Sequence, residues 1–442
     1  MASESPPPVP VTPAPVVFWS RRRILIWTAL ALGLLAARGP EFLASINPPA
    51  EFTGDFVQDW VAARNYQTGH PVYEDTREGY RRHAGPNAPA PFLLPRNAHP
   101  PGSVVAVLPL AWLPFPDARL AWNLITLGLF VAAVGLVVWE LGVRGWGPGV
   151  LPAIAVGVVC APLQLQLQLG NFGTLLAALL AGSWVADRHG WTGLAGTMVG
   201  IAAGLKLFPA FLLIYFTATR RWKAVAGFAV GFLGLNAIAL GLFGVDAFRV
   251  YAIDIAPLVA AENESSWMNA SLVGFWMRLF GPTPSHGILP LVHAPEVGRA
   301  LVVLSQVVVA VIVGWIAWRS RTPLARDRAF AVATAGMLLI GPLAWSHTFL
   351  LLVVPLGMLA VRLPAGGLRW VFLACLAAIW LPANYPAQMV IGAEQAQLML
   401  GDQHTPLSPI MNLTIASVLT YALLGVFVLT LRLPKDSPDC QI

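Results

Sequence analysis

Asp55 and Asp59 stand four residues apart in the stretch Thr53-Gly54-Asp55-Phe56-Val57-Gln58-Asp59-Trp60-Val61-Ala62-Ala63-Arg64-Asn65-Tyr66. Read as a short helix, the stretch puts both carboxylates on one face. Beside them Phe56, Trp60 and Ala63 recur at i, i+4 and i+7, an apolar stripe suited to lying on a membrane surface. Two carboxylates held there can supply a general base that takes a proton from a hydroxyl. The same residues have a plainer reading. Asp55 follows Gly54 and precedes Gln58 by three, the spacing of a capping box, so its side chain can simply close the helix N-terminus. A second chemical signal is Lys206, one of only three lysines with Lys223 and Lys435. It interrupts a long apolar stretch, where an ionisable group is costly and normally has a purpose. Asn171 precedes the apolar run 172–186 and can be an ordinary helix N-cap.

The elements that position these residues follow from composition. The chain has 442 residues, of which 57% are apolar and 11% charged, with a mean hydropathy of +0.68. Soluble domains carry about 25% charged residues, so a soluble enzyme, a disordered chain and a fibrous protein are all excluded. Apolar segments lie at roughly 102–113, 118–140, 149–168, 172–186, 191–219, 224–243, 297–318, 329–345, 347–361, 368–381 and 410–432, after a first one that follows Arg21-Arg22-Arg23. That makes an all-α polytopic membrane protein of about 11–13 transmembrane helices. Segment 191–219 is too long for one upright span and 102–113 too short. Either 191–219 is one tilted helix and 102–113 a short span, or 191–219 is a broken pair and 102–113 is re-entrant. Both options stay open.

Residues 1–20 form a Pro-rich tail expected to be disordered, and 21–432 the membrane domain. The arginines before the first segment resemble a signal peptide, but no small-x-small cleavage site follows, which predicts an uncleaved helix with an inside N-terminus. Arg220, Arg221 and Lys223, then Arg319, Arg321, Arg326 and Arg328, then Arg362 and Arg369 mark further inside loops by the positive-inside rule. The segments 39–100, 244–296 and 382–408 are then outer loops, and 433–442 is a cytoplasmic tail. The first outer loop holds seven of the 21 acidic residues, with Trp60, Tyr66, Tyr73 and Phe92 at its polar–apolar boundaries. A loop so long is normally functional or disordered, and this one reads as ordered, with interfacial helices. The formal net charge of +6 comes from short loops beside spans, with no continuous basic stripe, so nucleic acid is not an expected partner. Cys160 and Cys375 lie in apolar runs and Cys440 near the end, so no structural disulfide and no zinc or iron–sulfur site are expected.

Several motifs in order carry a resemblance. Gly54-Asp55-Phe56, Trp60-x-Ala62-Ala63-Arg64 and Gly69-x-Pro71-x-Tyr73 are followed by His99-Pro100-Pro101, Arg119-Leu120-Ala121-Trp122-Asn123, Gly204-Leu205-Lys206-Leu207-Phe208-Pro209, Asn269-x-Ser271-Leu272 and Pro342-x-x-Trp345-x-His347. Together, over about residues 50–355, they resemble glycosyltransferase family 87, the polyprenol-phosphate-mannose-dependent alpha-mannosyltransferases of the GT-C superfamily. The chain departs from the family pattern at Gly170-Asn171-Phe172-Gly173, where Gly-Gln-x-Asn is usual, and at Ser346 and Thr348, which flank the later histidine. The resemblance implies a GT-C-like fold and transfer of a hexose, by default mannose, from a polyprenyl-phosphate-sugar donor to a lipid or glycan acceptor.

It also implies that Asp55 is the general base of an inverting single displacement. Phosphate is a good leaving group, so one carboxylate suffices where a glycosidase needs two. Asp59, Arg64, His99, Asn171, Lys206 and His347 are then substrate-binding candidates, the cations facing the departing phosphate. His347 can equally be an interfacial hydrogen-bonder. If 191–219 is one helix, Lys206 snorkels to an interface instead. No cofactor and no metal are expected. The expected partners are the lipid-linked donor, the acceptor and membrane lipids, at an active site on the outer face of the plasma (inner) membrane. Two other classes fit the sequence less well. A transporter or lipid flippase places ionisable residues at mid-depth on several spans, and here Lys206 alone qualifies clearly. A polysaccharide ligase or polymerase concentrates Arg and His in a large later loop, which 244–296 does not.

Overall fold

Ser20 accepts a hydrogen bond from the backbone N–H of Arg23 and starts the first helix, α1 (Arg21–Ile46). The structure is a computed structural model that describes residues 20–49, 54–88, 95–143, 150–281, 288–364, 366–380 and 408–435. The Pro-rich tail expected over 1–20 and the loop expected over 382–408 lie outside these residues, Ser20 and Ser408 apart. So does the end of the tail from 436 onward.

After α1 come three short helices, α2 (Phe56–Gln67), α3 (Thr76–Ala84) and α4 (Pro101–Val107), then α5 (Phe115–Glu140). A bent pair follows, α6 (Leu151–Val159) and α7 (Ala161–Leu169), turned by 61° where Pro162 removes a backbone donor. Next are α8 (Gly173–Arg188), α9 (Thr192–Leu205), α10 (Leu213–Ala218) and α11 (Trp222–Arg249). The remainder is α12 (Ala256–Asn263), α13 (Leu272–Phe280), α14 (Pro295–Arg319), α15 (Pro323–Ile340), α16 (Val353–Arg362), α17 (Gly367–Trp380) and α18 (Val418–Thr430). Among the described residues there is no strand. Five helical stretches are long and apolar enough to cross a membrane, six with the bent pair, and shorter apolar helices lie among them. Their outward faces are apolar: Val230, Val245, Val311 and Leu32 are each more than 60% exposed, a surface that suits lipid and not water. The fold is that of a multi-pass membrane protein.

Three expectations are corrected or decided here. The stretch 191–219 is a broken pair: α9 stops at Leu205, Lys206 is extended (φ −149°, ψ 128°), and a 3-10 turn over Phe208–Leu212 leads into α10. Pro209 at the start of that turn cannot continue a helix. The segment near 102–113 is the short α4 with a 3-10 turn to Leu110, packed beside α2, α9 and α11. The span 244–296 is not an open loop. Helix continues from Trp222 to Asn263 through a kink at Gly244 and a wide turn over Val250–Ile255, and α13 follows. Apolar residues such as Val250, Ile253 and Val259 prolong the helix past the point where the sequence becomes mixed.

Helix ends sort into two faces. On one, Asn123 of α5 donates to Ile46 O and Leu167 O, both at 2.8 Å. Lys206 reaches Asn171 there, and Asn269 donates to Pro342 O at 2.9 Å. On the other, Glu140 accepts from Arg188 and meets His189, while Asp327 accepts from Trp184 at 2.9 Å, from Arg362 at 2.9 Å and from Arg188. The α9 and α11 helices pack backbone to backbone. A Cβ on Gly196 would lie 1.8 Å from Ala224 O, and one on Gly200 2.2 Å from Phe228 O. Small residues allow this approach where lipid supplies no hydrophobic drive, and it fixes where α9 ends and therefore where Lys206 stands.

Candidate active site

The α2 helix does not lie on a surface. Phe56, Val57, Trp60, Val61 and Ala63 are all buried, with Phe56 stacked on Trp122 and Trp60 edge-on to Phe115. The expected interfacial stripe is core instead. Phe115 and Trp122 of α5, Tyr80 of α3 and the turn at Gly170 cover it. Two left-handed glycines make the fit. Gly54 (φ +63°) leaves no room for a Cβ, which would sit 2.6 Å from Leu169 O, and at Gly170 (φ +65°) a Cβ would sit 2.7 Å from Phe56 Cβ. Both positions suit glycine for conformation and for space. The Asp55 N–H donates to Leu169 O at 2.7 Å, and Trp122 Nε1 donates to Gly170 O at 2.8 Å. The α2 N-terminus is thereby pinned against the turn that carries Asn171.

Asp55 occupies the N-cap position of α2, but its side chain makes no capping bond. Its Oδ2 instead accepts from Asn171 Nδ2 at 2.5 Å. Asn171 is a hub: its Oδ1 accepts from Lys206 Nζ at 2.8 Å and from the Phe172 N–H at 2.6 Å. Gln166 in turn donates to the Asn171 backbone carbonyl. One amide thus joins the carboxylate to the ammonium and leaves Asp55 Oδ1 outside this bond.

Asp59 is fully buried and engaged on both oxygens. His99 Nδ1 lies 2.6 Å from Oδ2, while Ser103 Oγ donates to Oδ1 at 2.7 Å and Asn97 Nδ2 at 3.3 Å. The His99 N–H donates to Asn97 Oδ1, Tyr73 OH donates to the His99 carbonyl at 2.7 Å, and the ring stands edge-on to Phe172. A carboxylate on Nδ1 fixes the tautomer and leaves Nε2 for other work. His347 is 4% exposed, its Nε2 has no hydrogen-bond partner among the described residues, and Lys206 and His99 are its ionisable neighbours. Of the seven residues singled out in the sequence, six therefore fall in one neighbourhood. Arg64 differs: its guanidinium lies over the Trp60 ring at 5.9 Å and beside His83, and no hydrogen bond ties it to Asn171 or Asp59. Among the described residues no group of three or more His, Cys, Asp and Glu side chains converges.

Asn97, Ser103 and Gln166 went unnoticed in the sequence. Gln166 left a signal, since Gln164, Gln166 and Gln168 alternate within an apolar segment and a buried amide needs partners. Ser103 left none.

A family model described as glycosyltransferase family 87 matches residues 97–344, more than half of the chain. The chain belongs to glycosyltransferase family 87. The family 87 match begins at Asn97, so Asp55, Asp59 and Arg64 precede it, while His99, Asn171 and Lys206 fall inside and His347 follows it. The flippase and ligase readings are set aside by this membership.

Two relatives are each named polyprenol-phosphate-mannose-dependent alpha-(1-2)-phosphatidylinositol pentamannoside mannosyltransferase. One, from Mycolicibacterium smegmatis (strain ATCC 700084 / mc(2)155), is 28% identical over 67% of this chain and 69% of its own length. The other, from Mycobacterium tuberculosis (strain CDC 1551 / Oshkosh), is 28% identical over 67% and 66%. A third, named polyprenol-phosphate-mannose-dependent alpha-(1-2)-phosphatidylinositol mannoside mannosyltransferase, from the same Mycolicibacterium smegmatis strain, is 29% identical over 36% of this chain and 37% of its own length. No solved structure matches the chain at a significant level.

Proposed function

We propose that this family 87 glycosyltransferase moves a mannosyl group from a polyprenyl-phosphate-mannose donor to a hydroxyl of a mannosylated phosphatidylinositol or a similar glycolipid. The donor and acceptor classes rest on the names of the relatives. The observation that carries the chemistry is the Asp55–Asn171–Lys206 chain. Asp55 Oδ1 takes the acceptor proton as the acceptor oxygen attacks the anomeric carbon. The bond from that carbon to the phosphate oxygen breaks, its electron pair leaves with the polyprenyl phosphate, and the configuration inverts. Lys206, His99 Nε2 and His347 supply positive charge or N–H donors to the phosphate, whose charge grows in the transition state. Asp59 acts through His99, and Arg64 acts only on parts of a substrate that extend past Trp60.

We place the site at the outer face and both termini in the cytoplasm. The support is that Arg21–Arg23, Arg220, Arg221, Arg319, Arg321 and Arg362 stand at the helix ends opposite Asp55, as the positive-inside rule expects of a cytoplasmic face.

The test is Asp55→Asn in purified protein supplied with polyprenyl-phosphate-mannose and phosphatidylinositol mannosides, with products read by mass spectrometry. Donor binding is retained and transfer falls by about 10²–10⁴-fold, the usual contribution of a general base. Turnover near the parent level rejects Asp55 as the base, and absence of any mannosyl product from the parent enzyme rejects the donor.

A further inference from the structure

On the face opposite Asp55, a cavity of about 600 Å³ opens between the end of α14, the start of α15 and the chain after α18. Its cations are Arg319, Arg321, Arg328 and Lys435, and among the described residues no carboxylate lines it. None of the four takes part in an ion pair among the described residues. Thr322 ties the parts together, its hydroxyl donating to the Lys435 carbonyl at 2.6 Å. Arg328 is half-buried, its Nε out of water and without a hydrogen-bond partner among the described residues, and Arg432 is close enough to repel it. Two other cations on the same face are paired with carboxylates: Arg188 with Glu140 and Asp327, and Arg362 with Asp327. Among the described residues the cavity thus gathers four positive charges and no negative one.

The surroundings say what kind of anion would fit. A second, apolar cavity of about 330 Å³ adjoins the first through Arg328, Trp315 and Ile316, and runs along Ile312, Val428 and Leu431. Trp315 and Trp318 are 52% and 51% exposed at the mouth, where indoles sit at the level of lipid headgroups, and Arg319 lies over the Trp315 ring at 4.7 Å. Polar and apolar compartments in sequence, opening to the side of a membrane helix, match an amphiphile with an anionic head and an acyl chain. We propose that this cavity is a binding site for an anionic phospholipid of the leaflet opposite the active site, its phosphate held by Arg321, Arg328 and Lys435 and one chain lying along α14 and α18. Basic pockets between helices on the cytoplasmic side serve this purpose in other membrane proteins.

The test uses full-length protein in mild detergent with equal amounts of phosphatidylglycerol and phosphatidylcholine, and native mass spectrometry as the readout. Phosphatidylglycerol is retained in preference. Retention falls by about fivefold for each cation removed across Arg321→Gln, Arg328→Gln and Lys435→Gln. A control triple variant, Arg21→Gln, Arg22→Gln and Arg23→Gln, keeps retention unchanged, and unaltered gel-filtration profiles show that all variants fold. Equal retention of both lipids, or a loss as large in the control as in the cavity variant, overturns the proposal. Displacement of the lipid by millimolar inorganic phosphate assigns the cavity to a soluble anion and overturns the lipid reading too.

Discussion

Asn171 is the residue on which the site turns. Its amide holds Asp55 on one side and Lys206 on the other, so carboxylate and ammonium are positioned without pairing directly. Removing the amide as Asn171→Ala frees both charges. A hydrogen bond to a charged group contributes about 1.5–3 kcal/mol, so the turnover number of that variant falls by roughly ten- to a hundredfold. Michaelis constants measured alongside separate this from a lost substrate contact, which would raise KM with turnover intact. His99 belongs to the same scale. Asp59→Asn removes the carboxylate behind the His99 ring, and donor turnover drops while Asp55 remains untouched. Full activity in Asp59→Asn would show that the pair is only structural.

At the scale of elements, the interlock of α2 with the turn 168–170 decides whether these side chains meet. Gly170→Ala forces a Cβ to 2.7 Å from Phe56 in a left-handed conformation. The conformation alone costs about 1–2 kcal/mol, and the clash displaces α2. A lowered melting temperature together with lost transfer is the expected outcome, and an active, equally stable variant would show that the interlock is dispensable.

The α3 helix next to α2 carries a pH dependence. Burial, then Arg64, Arg82 and His70, pull His83 down to about 4 from an ordinary 6.5, and its Nε2 stands 2.8 Å from Asn65 Oδ1. The unfolded chain takes up a proton below 6.5 that the folded one refuses until about 4, so the helix loses stability as pH falls through that window. Glu74 acts in the same direction, since its hydrogen bond to Arg82 holds its carboxyl below the usual range, and that contribution too is lost in acid. Protection factors of α3 amides, with the intrinsic exchange rate at each pH divided out, should fall between pH 6.5 and 4, by at most about tenfold per pH unit from His83. His83→Gln should flatten the upper part of the profile, and an unchanged profile would place the sensitivity elsewhere.

For the whole molecule, the two faces do different work. The site face gathers polar side chains around an open chemical task, while the opposite face gathers Asp327, Arg188, Arg362 and Trp184 into a closed network. That network joins α8, α15 and α16, and two of these, α8 and α16, are preceded at their other ends by Phe172 and by the 3-10 turn that carries His347. Asp327→Ala takes the carboxylate away from Arg362 and leaves Arg188 with Glu140 alone. Breaking such a pair costs about 3–5 kcal/mol, so thermal unfolding in detergent should come markedly earlier, with the residual folded fraction still active. A variant as stable as the parent would show that the arginines find water.

Much about this chain is legible from residue types alone. A bilayer admits only segments that satisfy their own backbone, so 57% apolar residues with clustered arginines dictate a multi-pass helical protein. Lys206 announced itself because a charge in an apolar run needs a reason. Three things waited for the fold. Whether the Asp55 side chain caps its helix is not decided by spacing, because a cap and a free carboxylate use the same residue, and only the neighbour at position 171 directs the side chain away from the helix end. The stripe of Phe56, Trp60 and Ala63 looks identical whether it faces lipid or core, since periodicity reports an apolar face and not what covers it. Asn97, Ser103 and Gln166 carry no local signature, because a polar partner is defined by what it meets across the chain, and that meeting is made by tertiary packing.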